Sequence, residues 1–384
     1  MTSSHRSRGS ALTRRAVLPV AVLAMLLAAC SSGGSGTASD SASGGGESSA
    51  SSSASASASA SATSAGTVTV PIGDQSVTVS SPIKTIALLV AGSANTYTWT
   101  AALEEGAKAA AEANGVELTI FEANFDPVVQ FNQLQDAMAS GLYQGLLIQP
   151  VSTQTCDLVT SDAVKDNLLV VALEVGLCGQ DTEVGEGLWT PGSLTFIGGQ
   201  YAMPGFLSYT GSILETNPGP QKVIEVIGPQ DYGTTRSWDA AKAQTWAGAP
   251  EFEVTATVYT DFSTPDAYKK TLDALQANPD TTIIVSQYID MTKGIIKAVQ
   301  DLGKTGIKIY DFGGSIESVK MVESGEAVAT FADYPISMGE AGVMAVVDAG
   351  LGKPVPKVIL GDGKADAITT IITKDDLGSY TPQY

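Results

Sequence analysis

The chain carries a single histidine, His5, which lies ahead of the first apolar run. Everything downstream of it therefore lacks imidazole. That removes Ser-His-Asp and Cys-His catalysis and histidine-based metal sites together. Forty acidic residues leave a glycosidase-like carboxylate pair arithmetically open, but among so many carboxylates some fall close by chance. No phosphate loop of the P-loop pattern occurs, and Gly313-Gly314 reads as a strand-to-helix turn rather than a dinucleotide fingerprint. An enzyme is the minority expectation, and neither cofactor nor metal is expected.

The remaining reactive side chains are Cys30, Cys156 and Cys178. Cys156 follows a strand at Gly145–Gln149. A helix then runs away, Leu168–Leu173 returns as the neighbouring strand, and Cys178 follows it. Both thiols then lie past the carboxyl ends of adjacent strands, within reach of a disulfide if the compartment is oxidising. The alternative is a buried free pair.

The compartment is read from the first residues. His5, Arg6, Arg8, Arg14 and Arg15 precede an apolar run from Ala16 to Leu27. The run is too short to span a bilayer comfortably, and its layout is that of an export signal over 1–29. It ends Leu27-Ala28-Ala29-Cys30, which resembles the lipobox of bacterial lipoproteins, where the cysteine becomes the lipidated first residue. Thr13-Arg14-Arg15-Ala16-Val17-Leu18 looks loosely like a twin-arginine signal, so both export routes stay open. From Ser31 to Gly66 the composition collapses to Ser, Ala and Gly, a flexible tether with a reach of roughly 30–35 Å. The expected location is the outer face of the cytoplasmic membrane. The net charge of −19 argues against nucleic acid or anionic lipid as partner.

The elements that must position any site follow. Thr67 to Val79 alternates around Gly73-Asp74, a small hairpin assigned to 67–82. Continuous apolar strands then alternate with helices: Thr85–Ala91, Val116–Phe121, Gly145–Gln149, Leu168–Leu173, Leu194–Ile197, Lys222–Ile227, Glu253–Tyr259, Thr282–Ser286, Ile307–Asp311 and Val328–Phe331. Such strands are buried on both faces, as in parallel sheets. The irregular stretch Gln180–Ser193 breaks the repeat midway, which favours two α/β lobes over one barrel. The expected division is 83–199 with 333–349 for the first lobe and 200–332 with 350–384 for the second.

Over about 290 residues the order and spacing resemble the ribose-binding family of type I periplasmic binding proteins, which serve sugar ABC importers. The likeness runs through Thr85–Val90, Asn95-Thr96-Tyr97-Thr98-Trp99, Leu103–Ala107, Asn124-Phe125-Asp126, Leu146–Val151, Arg236, Asp311–Gly314, Ala329–Asp333 and Ile372–Leu377. It implies two Rossmann-like lobes with parallel sheets, joined by a three-crossing hinge, with ligand trapped in the cleft by hinge closure. It further implies a cleft formed by Asn95, Tyr97, Trp99, Glu174, Arg236, Tyr288, Asp290, Asp311 and Asp333, with Gln149 and Gln200 as weaker candidates. Trp99 could equally be core, and Asp333 could equally cap the helix at Pro335. Where the family usually has Asp-Arg, this chain has Glu174-Val175; Tyr288 stands for a common Asn and Gly313 for a common Asp. An acid-rich cleft with only Arg236 suits a polyhydroxylated or cationic ligand better than a sugar acid or phosphate.

The function implied is a solute-binding lipoprotein, working as a monomer, that delivers a sugar-like or other small polar ligand to an ABC permease. The alternatives are a receptor for a membrane signalling partner and, further off, a secreted carbohydrate-active enzyme.

Overall fold

The computed structural model describes residues 66–361 and 371–384. The stretch expected to be an export signal (1–29), Cys30 and the Ser/Ala/Gly segment through 65 lie outside the described residues. The first element is the hairpin, β1 (Gly66–Ile72) and β2 (Gln75–Ser81), paired antiparallel about Gly73-Asp74. Its alternation turns Val70, Ile72, Val77 and Val79 into the core.

The first lobe follows: β3 (Thr85–Val90), α1 (Thr98–Asn114), β4 (Glu117–Glu122), α2 (Pro127–Ser140), β5 (Gly145–Ile148), α3 (Ala163–Lys165), β6 (Leu169–Glu174) and β7 (Thr195–Gly198). The second is built from α4 (Met203–Thr216), β8 (Gln221–Ile227), α5 (Gly233–Thr245), β9 (Phe252–Tyr259), α6 (Thr264–Ala277), β10 (Ile283–Ser286), α7 (Ile289–Asp301), β11 (Lys308–Phe312), α8 (Ile316–Ser324) and β12 (Ala329–Phe331). Three elements close the chain: α9 (Pro335–Gly350), β13 (Val358–Leu360) and β14 (Ile371–Thr373).

Each lobe holds a six-stranded sheet. The orders are β4-β3-β5-β6-β7-β13 and β9-β8-β10-β11-β12-β14, parallel throughout except for the β12–β14 pair. The chain passes between the sheets three times, after β7, after β12 and after β13. Continuous apolar strands are fully covered, as Ile86 to Val90 and Val170 to Leu173 illustrate. Local signals set the helix starts. Asp126 caps α2 by accepting from Val128 N at 2.8 Å, with Pro127 at the first helical position.

α9 returns to the first lobe and lies across α1. Gly106 and Gly339 make that crossing possible: a Cβ on Gly106 would sit 2.0 Å from the Ile336 carbonyl oxygen, and one on Gly339 2.1 Å from that of Leu103. No side chain fits there, so the two helix backbones touch directly.

One expectation is corrected. Val358–Leu360 pairs with β7 and belongs to the first sheet, whereas 350–384 was assigned to the second lobe. Such a short edge strand carries too little apolar pattern to declare its sheet. The helix expected after Cys156 is present and unbroken over 156–165, wound wide at Leu158–Asp162, ending in α3 and preceded by a 3-10 turn at Thr153–Thr155. Cys156 and Cys178 are disulfide-bonded, with their Cα atoms 5.0 Å apart. The bond ties that helix to the loop that follows β6.

Candidate functional site

In both sheets the carboxyl ends of the strands face the gap between the lobes, the place where open parallel sheets bind ligands. The two lobes repeat one device there. Gln149, just past β5, accepts from Ala91 N at 2.9 Å, beyond β3. Gln287, just past β10, accepts from Gly228 N at 2.9 Å, beyond β8. Each glutamine closes the split between two diverging strands and is fully buried. Gln130 holds Gln149 in turn, donating to its carbonyl at 2.8 Å and accepting from Val151 N at 2.7 Å.

Between these ends lies a cavity of about 30 Å³, lined by Tyr97, Trp99, Thr100, Phe125, Gln149, Glu174, Tyr201, Tyr232, Thr234, Phe262 and Tyr288. Seven of these are aromatic. The rings meet across the gap: Phe125 of the first lobe lies 5.2 Å from Phe262 and 5.3 Å from Tyr232 of the second. Polar contacts fasten the same closure. Tyr97 donates its hydroxyl to the Asp261 carbonyl at 3.1 Å, and Trp99 N donates to the Tyr288 hydroxyl at 3.1 Å.

Backbone strain collects at this cavity. Phe125, Glu174 and Phe262 have φ of 58°, 63° and 67°. Bulky L-residues rarely adopt such angles, and they cost on the order of 1 kcal/mol or more each. Three of the five non-glycine residues with positive φ among the described residues line the cavity. The packed lobes hold these side chains in place against their local preference, as functional sites commonly do.

The cavity's electrostatics rest on carboxyls without a facing cation. Burial pushes Glu174 up to about 8; hydrogen bonds from Gln149 and Tyr232 oppose the rise, and the charge of Asp333 adds to it. Burial raises Asp333 to about 7, opposed by the Tyr334 N–H and by the nearby Trp99 indole and Tyr201 hydroxyl. The indole N–H and the hydroxyl lie close enough to act on Asp333 but complete no hydrogen bond of ordinary geometry, and Asp333 Oδ2 is likewise unpartnered. Three polar groups with capacity to spare thus cluster in a fully buried place. No Lys or Arg lines the cavity.

Of the nine residues the resemblance implies, Tyr97, Trp99, Glu174 and Tyr288 line the cavity. Asp333 stands behind Trp99 and Tyr201, and the cap of α9 is Tyr334 rather than Asp333. Asn95 is exposed in the loop that Glu122 anchors through Ser93 and Ala94 N. Asp290 pairs with Lys293 at 2.9 Å and accepts from Thr98 at 3.4 Å, at the edge of the lobe interface. Arg236 turns away from the cavity. Its Nε and Nη2 both lie 2.8 Å from Asp181 Oδ2, on the loop that the disulfide ties down. Asp311 is sealed inside the second lobe, accepting from Thr292 at 2.5 Å and Thr330 at 2.6 Å. Burial raises its pKa, with those hydroxyls opposing the rise. Asp311→Ala would remove the carboxylate that both hydroxyls reach, leaving Thr292 its bond to the Tyr288 carbonyl and Thr330 its bond from Gly314 N, so it is expected to lower stability by about 1–2 kcal/mol in chemical denaturation while ligand affinity stays within about twofold. Loss of binding without loss of stability would return Asp311 to the site.

Phe125, Tyr201, Tyr232, Thr234 and Phe262 were not anticipated. A signal existed for two of them. Phe125 and Phe262 follow the edge strands β4 and β9 at equivalent places in the two lobes, and the carboxyl-end rule covers edge strands as well as central ones.

Known proteins share this fold. A family model described as a periplasmic binding protein domain matches residues 86–354. The ribose import binding protein of Escherichia coli (strain K12) is 26% identical over 260 residues, 67% of this chain and 82% of that protein. The D-allose-binding periplasmic protein of the same strain is 25% identical, over 66% of this chain and 81% of its own. Among solved structures, an ABC transporter solute-binding protein from Mycobacterium smegmatis with bound glycerol aligns with a TM-score of 0.65 at 24% identity, over 77% of this chain and 96% of that one. One from Bacillus halodurans C-125 with bound myo-inositol aligns at 0.66 and 15% identity, over 79% and 99%. At these identities the structural likeness speaks for the fold.

Proposed function

Because this chain belongs to the periplasmic binding protein domain family, we propose that it is the solute-binding component of an ABC importer and holds a polyhydroxylated ligand between its lobes. The observation that carries this is the buried cavity at the carboxyl ends of both sheets, where aromatic walls from the two lobes enclose unpartnered polar groups. Aromatic faces suit the C–H surface of a polyol, and the side-chain amide, carboxyl and phenol groups suit its hydroxyls. The related ribose and D-allose receptors are consistent with that chemistry.

On this reading closure of the hinge traps the ligand and presents a membrane permease with a surface the open form lacks. Tyr97, Trp99, Glu174, Tyr288 and Asp333 belong to the binding site; Arg236 supports the closed form. The protein binds without turnover, acts as a monomer, and is exported and anchored to the outer face of the cytoplasmic membrane through a lipid on Cys30.

A thermal-shift panel of sugars, polyols, nucleosides, amino acids and polyamines tests the function. A ligand that binds only the native state raises Tm by mass action, about 2.7 kcal/mol of stabilisation at a hundred times Kd. A rise with one polyhydroxylated class is the expected result. A flat panel, with no compound copurifying, would remove the proposal.

A further inference from the structure

The loop that reaches across to the second lobe is held on its own lobe by the disulfide. Resting on the reading of this protein as a receptor that closes over its ligand, we infer that the Cys156–Cys178 bond positions Asp181 as a latch on α5, so that the oxidised protein keeps its lobes shut, and retains ligand, more tightly than the reduced one.

Asp181 belongs to the first lobe and its partners to the second. Arg236 Nε and Nη2 each lie 2.8 Å from Asp181 Oδ2, and the Ser237 hydroxyl donates to the Asp181 carbonyl at 2.6 Å. Asp181 Oδ1 makes no hydrogen bond of its own, but it stands against the start of α5, where a Cβ on Gly233 would lie 2.6 Å from it. Tyr232, the N-cap of α5, supplies no side-chain cap. A carboxylate from the other lobe thus faces the positive end of that helix, a favourable place for it. Parting the lobes breaks all of these contacts together.

Its own lobe holds Asp181 from one side only. From Thr182 to Gly187 every residue is exposed, and the next buried side chain is Leu188. On the other side Leu177 sits in the core, and Cys178 and Gly179 lead into the 3-10 turn Gln180–Thr182 that carries Asp181. Gly179, with φ of 85°, is a permissive joint in that lead. The disulfide fixes the joint. It ties Cys178 to Cys156, at the head of a helix whose Val159 and Ala163 are fully buried in the first lobe. Gln180 tightens the turn, its side-chain carbonyl accepting from Cys178 N at 2.9 Å. Without the bond, residues 178–181 regain freedom that closure must remove again. A penalty confined to the closed form weakens apparent affinity by its full factor. Both cysteines are partly exposed, so a dithiol reaches them. Exchange then breaks the S–S bond, leaving two thiols on the protein and a cyclic disulfide on the reductant.

Hydrogen exchange of the unliganded protein, followed by mass spectrometry before and after reduction with dithiothreitol, tests the inference. Cys156→Ser/Cys178→Ser repeats the test without reductant. Exchange is expected to quicken at least about threefold both in 178–182 and, across the interface, in the first turns of α5 at 233–240. In Arg236→Ala the α5 segment is expected to exchange fast already and to gain little from reduction. Unchanged exchange in α5 on reduction would overturn the inference whatever happens in the first lobe, because a bond that only stabilises its own lobe gives that result. Full additivity of reduction and Arg236→Ala would overturn it as well. Titration calorimetry with D-ribose reads the consequence for binding: the reduced protein is expected to bind about tenfold more weakly, and equal affinity in the two redox states would overturn the inference. The exchange arm needs no ligand, so failure to bind D-ribose in either state would count against the function proposed above and leave exchange to decide the latch.

Discussion

Raising the pH from 5 to 8.5 is expected to lower the melting temperature of the unliganded domain, and Glu174→Gln is expected to remove much of that loss. Glu174 is raised from 4.5 to about 8 and Asp333 from 3.8 to about 7. Between pH 4 and 8 the folded chain therefore holds protons that the unfolded chain has released. Stability must fall with pH wherever the native state binds more protons than the unfolded state. The contribution is fully present below about pH 4 and is lost as pH rises through the folded values of about 7 and 8. Because the two carboxyls interact, they titrate as a pair and the transition is broad.

Glutamine keeps the shape of Glu174 and cannot ionise. The variant should match the parent at pH 5 and exceed its Tm at pH 8.5 by about 5 °C or more. Calorimetric scans of both proteins at pH 5, 7 and 8.5 measure the effect. Parallel pH profiles would mean that Glu174 is ionised in the folded protein and hydrated more than its burial implies. The exposed pairs contribute outside this window. Asp280, Asp301 and Asp376 have lowered values, chiefly through hydrogen bonds from Lys222, Lys297 and Thr373, so their contribution is lost only as pH falls toward the acid limb.

The second large effect concerns closure. Arg236→Ala is expected to weaken ligand binding by tenfold to a hundredfold. Asp181 is almost fully buried against α5, and Arg236, 39% exposed, is its cationic partner across the lobes. In the closed form the pair is held; once the lobes part, both charges return to water. Removing the cation leaves a buried carboxylate in the closed form only, a cost of 3–5 kcal/mol for a fully buried pair and about 1–3 kcal/mol after discounting for the exposure of Arg236. A penalty confined to one state shifts the closed population and the apparent affinity by the same factor.

Two companion variants separate this role from direct contact with ligand. Asp181→Asn loses the ion pair without touching the cavity and should weaken binding in the same direction. Gly233→Ala should do so sterically, since a Cβ there would meet Val175 Cγ1 at 2.3 Å and Asp181 Oδ1 at 2.6 Å across the interface. Titration calorimetry gives the affinities, and small-angle scattering gives the compaction on binding. Normal affinity in Asp181→Asn with loss in Arg236→Ala would make Arg236 a ligand residue.

The site was legible where position along a strand decides it. Tyr97, Trp99, Glu174 and Tyr288 all stand just past, or at, the carboxyl end of a strand, and a parallel sheet delivers such residues to one rim whatever the rest of the chain does. Asp311 and Arg236 satisfied the same positional rule and went elsewhere. Asp311 lies within β11, and the hydroxyls of Thr292 and Thr330 meet its carboxylate inside the lobe. Both partners lie 19 residues away in sequence, on different elements. Arg236 found Asp181, 55 residues earlier, on a loop with no regular pattern to place it. The Cys156–Cys178 bond was readable because both thiols follow neighbouring strands, but its role in steadying the Asp181 loop was not.

The sequence by itself determined the export-signal pattern, the absence of imidazole chemistry, the alternation of buried strands with helices and the break between two lobes. These follow from composition and from periods of two and 3.6 residues, which are local quantities. Only the tertiary structure decided that β13 joins the first sheet, that aromatic rings from both lobes close on one another, and that Asp333, Trp99 and Tyr201 meet with polar capacity unspent. Those outcomes depend on which distant surfaces come together and on how much water they exclude. A carboxyl becomes a proton store, and a ring becomes a wall, only when another lobe packs over it.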